Sequence, residues 1–299
     1  MRINNANSYF KNVYGTKLYK VGISLDVTCP NRDGKVGVGG CSFCSSGGSG
    51  EFSEDKKLGI LAQIESGIAK LSKKCSEDVR YIAYFQSFTN TYCSENYLKE
   101  ALEQAISHPK VVAISLATRP DCLPESILDV LRCFVEKYGG ERPVLYVELG
   151  LQTSDDNIAR TFNRGYDTII YDEAVVKLHN IGANVITHVI FGLPGESIQT
   201  MLNTVEHVNR IGTDGIKFTC LYILKDTVYG TLWEQGDMRV LDMDEYFSIV
   251  EMALSILGDD VVVHRLTGDG PKKLLLAPEW TKNKRNVVNY INNRFYREN

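Results

Sequence analysis

The sequence predicts an α/β fold, a partial (β/α)6 barrel of the TIM type with a small C-terminal α/β appendage. Apolar runs rich in β-branched residues alternate six times with stretches of helical periodicity, which is typical of parallel strands joined by helical crossovers. The chain has 299 residues, 43% of them hydrophobic, so one barrel-type domain can bury a large core. Six units, where a complete TIM barrel has eight, favour an open barrel. Periodicity alone also allows an ordinary doubly wound sheet.

The six strands are predicted where short apolar segments occur. They are 18–27, 81–85, 111–117, 144–151, 184–192 and 214–223. Helical segments follow each of the first five, marked by apolar side chains three or four residues apart, such as Leu61, Ile64 and Ile68.

The last quarter of the chain has a different pattern. It predicts a helix over about 242–257, a short strand at 261–265 and a basic helix near 282–297. We therefore predict a barrel domain at 1–225, including a basic N-terminal extension. The appendage at 226–299 is expected to pack on the barrel, because no long linker precedes it.

The net charge of −4 is unevenly distributed along the chain. The first 25 residues carry four basic residues and no acid, and residues 271–299 carry seven basic residues against two acids. The two ends therefore carry +9 and the middle −13. If both ends fold to one face, they form a basic patch suited to a polyanion, although a solvated surface is the alternative.

We expect a cytoplasmic protein with no membrane partner. No uncharged apolar run approaches the roughly 18 residues that span a bilayer. The first twelve residues, MRINNANSYFKN, lack the apolar segment of a signal peptide.

Three cysteines lie close together in the segment 28–52, which follows the first strand. Cys29, Cys41 and Cys44 have the spacing C-x11-C-x2-C, and seven glycines surround them, so a bent loop is expected rather than a helix. Three thiolates on such a loop suit an iron–sulfur cluster with one open iron, or three quarters of a zinc site. A redox dithiol and three unrelated thiols are the alternatives. The other five cysteines are scattered singly and are expected to be reduced, non-ligating thiols: Cys75, Cys93, Cys122, Cys133 and Cys220.

Polar sequence follows the predicted strands, and in a βα barrel such strand ends meet at one mouth. The second strand ends in QSFTNTY (86–92) and the third in TRPD (118–121). Glu148 and Gln152 belong to the fourth strand, and His188 to the fifth, which ends in FGLPGE (191–196). The coincidence predicts an active site at this mouth. Glu148 and His188 can also be hydrogen-bonded residues of the barrel interior.

Several short motifs carry a resemblance to a known family. They are CPNRDG, GGCSFC, TRPDCLP, ELGLQT, NRGYD, FGLPGE and HRLTGD. Together they resemble the radical S-adenosylmethionine (radical SAM) enzymes of the YhcC/YtqA-like family, which is related to the Elongator catalytic subunit. The first cysteine gap departs from the C-x3-C-x2-C pattern that is commonest in that superfamily. The polar segment that follows His264 is either a structural turn or part of the substrate mouth.

The resemblance implies a [4Fe-4S] cluster on Cys29, Cys41 and Cys44 and S-adenosyl-L-methionine bound to its open iron. Further roles are implied for seven residues: Gln86, Ser87 and Thr89 beside the methionine amine, Glu148 and Gln152 at the ribose, Arg164 as a carboxylate clamp, and Gly192 under the adenine. Arg164 can instead form a surface ion pair at a helix end. The motifs assign no further catalytic residue.

The same resemblance points to tRNA as the substrate and partner. It implies that a deoxyadenosyl radical abstracts hydrogen from a wobble uridine, converting its 5-carboxymethylaminomethyl side chain toward 5-aminomethyl. An external electron donor such as flavodoxin or ferredoxin is then expected. The alternatives are radical chemistry on a small metabolite or protein side chain, and a zinc-binding nucleic-acid module.

Overall fold

The computed structural model describes residues 3–48, 50–72, 79–268 and 270–296. Seven parallel strands form one curled sheet in chain order: β1 (Leu18–Ile23), β2 (Arg80–Phe85), β3 (Val111–Thr118), β4 (Leu145–Gln152), β5 (Asn184–Phe191), β6 (Gly215–Cys220) and β8 (Val262–Arg265). A separate antiparallel pair consists of β7 (Ile223–Leu224) and β9 (Leu275–Ala277). The predicted partial barrel of α/β class is confirmed.

Ten α-helices accompany these strands in the described part of the chain. They are α1 (Ala6–Tyr14), α2 (Ile60–Ser72), α3 (Glu95–Ser107), α4 (Glu125–Tyr138), α5 (Asp156–Thr161), α6 (Thr168–Asn180), α7 (Ile198–Ile211), α8 (Val228–Glu234), α9 (Met243–Ile256) and α10 (Lys284–Ile291). The apolar stripes of the crossover helices pack on the outside of the sheet, where Leu102 of α3, Leu131 of α4 and Val205 of α7 are fully buried. This packing leaves the inner face of the sheet to line the barrel.

The strand β8 differs from its predicted place in the appendage. It pairs in parallel with β6, with Gly215 opposite Val262 and Lys217 opposite Arg265, and so extends the barrel to seven strands. Val262 and Val263 are buried in this position. The helix α9 belongs to the crossover between β6 and β8, and its buried face is part of the main core of the barrel. The boundary between domains at 225 stays a prediction.

The helix α1 closes the N-terminal end of the barrel. Its Phe10 and Tyr14 pack against the beginnings of the strands, including Leu18 of β1 and Tyr146 of β4. The Tyr14 hydroxyl donates to the carbonyl of Pro143, just before β4. The cavity of the barrel therefore opens at the C-terminal ends of the strands.

This position of α1 corrects part of the predicted basic patch. Because α1 lies at the N-terminal end of the barrel, Lys11 and the neighbouring Lys17 are remote from the cavity mouth. Lys20 points into the barrel, where it pairs with Glu148. Arg2, a further member of that patch, lies outside the described residues. In the tail, Arg294 pairs with a glutamate, Glu251 of α9.

No helix in the described part of the chain is long and apolar enough to cross a membrane.

Candidate active site

The three predicted cluster cysteines lie on one loop and border one cavity of about 720 Å³. The loop is built from tight turns, in which Arg32 N donates to Cys29 O at 2.8 Å and Cys44 N to Cys41 O at 2.9 Å. Gly40 has a φ of 87°, and a Cβ there would meet the Arg32 side chain at 3.0 Å. Glycine is therefore required where the loop folds back over Arg32.

Polar groups of the chain surround two of these thiols. The buried Asn31 donates from Nδ2 to Cys41 Sγ at 3.6 Å and to the carbonyl of Asn163 at 2.6 Å. Arg32 donates to the carbonyl of Cys44 at 3.0 Å. These bonds fix the loop and place one donor beside the sulfur atom of Cys41, and such hydrogen bonds help to set the potential of iron–sulfur sites.

Burial controls the protonation of the same thiols. Desolvation, and after it the charge of Cys44, raise the pKa of Cys41 to about 12 against the opposing charge of Arg119. The pKa of Cys44 is also raised, mainly by burial, against the charge of Arg32. Because a thiolate is the ligand, a group bound here must supply the positive charge that displaces the protons.

The other described cysteines, Cys93, Cys122, Cys133 and Cys220, lie outside this loop. Among the described residues, no three His, Cys, Asp or Glu side chains form a group that could hold a single metal ion. A cluster of several irons is larger and binds each thiolate at a separate corner. Cys220, at the end of β6, also borders the cavity, whereas Cys133 is exposed on α4. Cys75 lies outside the described residues.

The segment after β2 holds the cysteine loop in place. Phe88 N donates to Gly48 O at 2.9 Å, and Thr89 N donates to Thr28 O at 3.3 Å. Gln86 and Thr89 border the cavity, as predicted for residues near the methionine amine. Ser87 does not border it. Its hydroxyl bonds to Ser24 Oγ at 2.8 Å, so it ties β2 to the segment after β1.

Gln152 borders the cavity in an unusual backbone conformation. Its φ is 63°, and the pairing of β4 with β5 shifts register between Gly150 and Gln152. A non-glycine residue in this region costs on the order of 1–3 kcal/mol, and such strain is concentrated at functional sites. Its position at the cavity is consistent with the ribose contact that was predicted.

The predicted carboxylate clamp at Arg164 is corrected by the structure. The side chain is 1% exposed and all five N–H groups donate to protein acceptors. The acceptors are the carbonyls of Tyr166, Leu151 and Thr153, the carboxylate of Asp156 and the hydroxyl of Thr168. No donor is left for a ligand, so Arg164 supports the turns after β4. The alternative surface ion pair is also wrong, because the group is buried.

Packing explains why position 192 is a glycine, and the predicted contact with adenine is not needed for it. It does not border the cavity, its φ is 88°, and a Cβ there would meet Leu241 at 3.0 Å. The glycine lets the segment before α9 pack on the end of β5. Nearby Glu196 accepts from Leu193 N at 3.1 Å, and burial raises its pKa to about 7.

Glu148 is a residue of the barrel interior, as the alternative interpretation proposed. Lys20 and Ser115 bond to its Oε1, and His188 and Lys217 to its Oε2, with the His188 contact at 2.6 Å. A carboxylate accepts about four hydrogen bonds, so Glu148 has no free site for a ribose hydroxyl. Although burial raises its pKa, the charges of Lys20 and Lys217 hold that pKa well below its ordinary value.

Three cationic residues lie in the interior: Lys20, Lys217 and Arg265. Lys20 and Lys217 were not among the predicted site residues, whereas Arg265 belongs to the HRLTGD segment, for which a structural turn or part of the substrate mouth was expected. We call these three residues the cationic cluster. Tyr84 lies between the two lysines, with their Nζ atoms 4.8 and 4.7 Å from its ring centroid. All four residues border the cavity. One feature of the sequence could have identified such residues. It is a charged residue at an inward-facing position of an otherwise apolar strand, as at Lys20 in β1.

Comparisons with known proteins agree with this site. Residues 29–208 match the radical SAM superfamily, and residues 213–297 match the radical SAM C-terminal domain. The protein YtqA of Bacillus subtilis is 39% identical over 97% of this chain and 88% of its own length. The protein YhcC of Escherichia coli K12 is 33% identical over 91% of this chain and 85% of its own.

More distant similarities concern the Elongator proteins. Elongator complex protein 3 of Schizosaccharomyces pombe is 25% identical over 63% of this chain and 35% of its own length. The solved structure of the archaeal Elongator protein from Methanocaldococcus infernus has a TM-score of 0.67 and 18% identity, covering 94% of this chain and 64% of that chain. At that identity it shows a shared fold.

The superfamily match spans more than half of the chain, and the two curated bacterial relatives cover nearly all of it. The family, rather than a zinc-binding module, accounts for the cysteine loop. The chain belongs to the radical SAM superfamily and is a radical SAM enzyme of the YhcC/YtqA family, which cleaves S-adenosylmethionine reductively.

Proposed function

We propose that the chain holds a [4Fe-4S] cluster on Cys29, Cys41 and Cys44 and binds S-adenosylmethionine beside it. One observation carries this proposal: the three thiols of one loop border the same cavity as the polar ends of the strands. Three thiolates leave one iron free for the amino and carboxylate groups of S-adenosylmethionine. The cavity volume, about 720 Å³, lies within the range of pockets for cofactors and small ligands.

The residues of the chain bind, orient and exclude water. When bound, the cluster and S-adenosylmethionine supply an electron and a deoxyadenosyl radical that abstracts a hydrogen atom. Gln86 and Thr89 offer polar groups near the loop, and Ser87 fixes the segment that carries them. Gln152 offers its amide at the cavity to the ribose hydroxyls. The helix α1 closes the far end of the barrel and keeps bulk water from the cavity.

We propose further that the substrate is tRNA, at the 5-carboxymethylaminomethyl side chain of a wobble uridine. Loss of a hydrogen atom from the carboxymethyl CH2 to the deoxyadenosyl radical, return of one electron from the resulting radical to the oxidised cluster and hydrolysis of the imine would break the C–N bond. These steps would give the 5-aminomethyl group and release glyoxylate. The distant similarity to Elongator complex protein 3 supports this choice. Charge supports it as well, because Pro271 borders the cavity and the two residues after it, Lys272 and Lys273, are exposed. Two lysines at the mouth suit a phosphate backbone. The electron comes from an external donor of the flavodoxin or ferredoxin class.

The cluster assignment predicts a sharp difference between cysteines. After anaerobic reconstitution with iron and sulfide, Cys29→Ala, Cys41→Ala and Cys44→Ala should each fail to hold the cluster, because each removes a thiolate ligand. Cys220→Ala is the matched control, since Cys220 is buried and borders the same cavity but lies on β6. Iron and sulfide content and visible absorbance are the measurements. Full cluster content in Cys41→Ala would overturn the assignment.

The substrate assignment is tested by nucleoside analysis of tRNA from cells that lack this protein. Loss of the reaction should leave the carboxymethylaminomethyl nucleoside in excess over its aminomethyl product, and the wild-type gene should restore the ratio. A gene with Cys41→Ala should not restore it. An unchanged nucleoside profile would reject tRNA as substrate and favour a small metabolite or a protein side chain.

A further inference from the structure

The cationic cluster contains more positive charge than its surroundings balance. Its three residues come from β1, β6 and β8, and the carboxylate that pairs with its two lysines is that of Glu148. Lys217 is 6% exposed and Glu148 is 1% exposed, so solvent screens them poorly. Burial, together with the charges of Lys20 and Arg265, holds the pKa of Lys217 well below its ordinary value, although Glu148 opposes this. When all three side chains are protonated, they and the one carboxylate carry a formal excess of two positive charges, and an anion beside them favours that protonated form.

The neighbouring groups do not correct this excess. Burial and the charge of Lys217 lower the pKa of His188 to about 4, so it is neutral at pH 7. The pKa of His264 is also lowered, by burial and then by the two lysines. Tyr84 contributes no negative charge, because burial and Glu148 raise its pKa well above the ordinary value. An anion in the cavity would therefore be attracted by a poorly screened field.

Arg265, the third residue of the cationic cluster, has an N–H group that lacks an acceptor among the described residues. Arg265 donates from Nη2 to Thr219 Oγ1 at 2.6 Å, while its buried Nε has no hydrogen-bond partner among the described residues. A buried, unsatisfied donor on a charged group is costly, on the order of 1–3 kcal/mol or more. Because Arg265 borders the cavity, an acceptor there could satisfy it.

The remaining arginines at the cavity have other acceptors. Arg119 pairs with Asp121 at 2.7 Å, and Arg164 pairs with Asp156 at 2.8 Å. Arg32 bonds to carbonyls of the cysteine loop. Arg32 and Arg119 are also the positive neighbours of the thiols at positions 44 and 41. The charge at the cysteine end is thus matched locally, and the unmatched charge is that of the cationic cluster.

We propose that Lys20, Lys217 and Arg265 form an anion subsite inside the barrel that binds a carboxylate of the substrate. Glu148 and Tyr84 orient the two lysines, and the planar guanidinium of Arg265 offers the geometry that a carboxylate accepts. The identity of this carboxylate, the carboxymethyl end of the uridine side chain, rests on the proposed function. The existence of an anion subsite does not rest on that function.

The test compares two anticodon stem–loops that differ at one uridine, one carrying the carboxymethylaminomethyl group and one the aminomethyl group. Binding is measured by calorimetry on the reconstituted protein with S-adenosylmethionine and without reductant. The wild type should bind the carboxylated stem–loop about tenfold or more tightly, as expected for charged hydrogen bonds. Arg265→Met and Lys217→Met should abolish this preference, and Arg265→Lys should retain part of it. Lys272→Met, at the mouth, should weaken both stem–loops equally.

Two controls keep the outcomes distinct. Circular dichroism establishes that each variant is folded, and separate titrations measure its affinity for S-adenosylmethionine. Unchanged affinity for S-adenosylmethionine supports the substrate role. A loss of that affinity in Arg265→Met would assign the subsite to the cofactor carboxylate instead and overturn the proposal. Equal binding of both stem–loops by the wild type would overturn it as well.

A separate experiment tests the anion subsite if tRNA proves not to be the substrate. If neither stem–loop binds, N-methylglycine serves as a minimal carboxylate probe, with methylamine as the probe that lacks the carboxylate. Thermal protection of the wild type by N-methylglycine alone, absent in Arg265→Met, would retain the anion subsite and reject tRNA. No protection of the wild type would reject the subsite.

Discussion

At the scale of single residues, Arg164 is bonded as a structural group. Its five donors join the end of β4 to the turn before α6, and its charge is matched by Asp156. Removing it leaves the buried carbonyls of Leu151 and Thr153 without this donor, which is destabilising. The carboxylate of Asp156, one third exposed, keeps its bonds from Thr168. The turn that carries Gln152 depends on the same bonds, because Leu151 and Thr153 flank Gln152. Arg164 therefore supports the site, and its five N–H groups are already bonded to protein acceptors.

We expect Arg164→Met to lower the free energy of unfolding by about 2–6 kcal/mol, because two buried carbonyls lose their donor. The matched control is Arg160→Met, because Arg160 is exposed and pairs with Asp167 at 3.1 Å. That exposed pair should contribute less than about 1 kcal/mol. Urea unfolding of the unreconstituted protein measures both. Normal stability in Arg164→Met, combined with weaker binding of S-adenosylmethionine, would restore the carboxylate-clamp hypothesis.

The contrast between the cysteines and Arg164 shows what a sequence can predict at this scale. Cys29, Cys41 and Cys44 were identifiable because their spacing and the surrounding glycines are local features. The acceptors of Arg164 are mostly backbone carbonyls, whose direction depends on turns that no side-chain pattern encodes. Lys20 was counted as surface charge for a related reason. Its inward position follows from strand alternation, but its carboxylate partner lies 128 residues away in β4.

At the scale of secondary-structure elements, the turn between β5 and α7 contains a half-buried acid, Glu196. Glu196 N donates to Leu193 O at 3.0 Å, and its carboxylate accepts from Leu193 N, which closes the turn before the Ser197 cap of α7. Its Oε1 is buried without a hydrogen-bond partner among the described residues. Burial thus favours the protonated form, and its pKa is raised to about 7.

This raised pKa predicts how the turn responds to pH. The folded state binds the proton of Glu196 more tightly than the unfolded state, so its contribution to stability is present below about pH 4.5. That contribution falls as pH rises from about 4.5 to 7, by roughly 3 kcal/mol in all. Glu196→Gln, which cannot ionise, should be stabilised relative to wild type at pH 8 and not at pH 4.5. Urea unfolding at both pH values measures the difference, and a pH-independent difference would contradict the assignment.

The strand β8 shows why element type was predictable and its partner was not. Three consecutive valines predict a buried strand wherever it pairs, because a strand buried on both faces reads as a continuous apolar run. Its separation from β6 by α8 and α9 favoured assignment to an appendage. The pairing follows from α9, whose buried Phe247 and Val250 pack on the barrel and return the chain to the sheet edge. The prediction of six units counted only the six strands that precede α9, and so it missed β8 as a strand of the barrel.

At the scale of the whole molecule, the two ends of the barrel have different tasks. The helix α1 closes the N-terminal end with aromatic contacts, including Phe10 against His264 at 5.7 Å between ring centroids. The cysteine loop and the strand ends occupy the other end, where βα barrels place their chemistry. The cationic cluster lies between them, inside the cavity. A substrate group must therefore enter past the loop to reach it.

This arrangement decides which basic residues can contact a tRNA bound at the mouth. Lys272 and Lys273 are exposed beside the cavity-lining Pro271, whereas Lys11 and Lys17 lie at the closed end of the barrel. Reversing both mouth lysines to glutamate should weaken tRNA binding and flatten its salt dependence. The slope of log K against log salt should fall by about 0.7–0.9 for each phosphate that is no longer neutralised. The same double reversal at Lys11 and Lys17 is the matched control, because it changes the net charge equally and should leave the slope unchanged.

The tail helix α10 carries further basic residues on the surface of the protein. Lys284 and Arg285 are exposed there, and Lys282 pairs with Glu279 at 2.7 Å just before it. If the tRNA backbone continues from the mouth onto this helix, reversing Lys282, Lys284 and Arg285 together should lower affinity and slope further. A salt titration of binding compares wild type, the two double variants and this triple variant. Equal slopes in wild type and the triple variant would leave α10 outside the interface. Equal slopes in wild type and the mouth variant would remove the phosphate contacts from the mouth and weaken the case for tRNA.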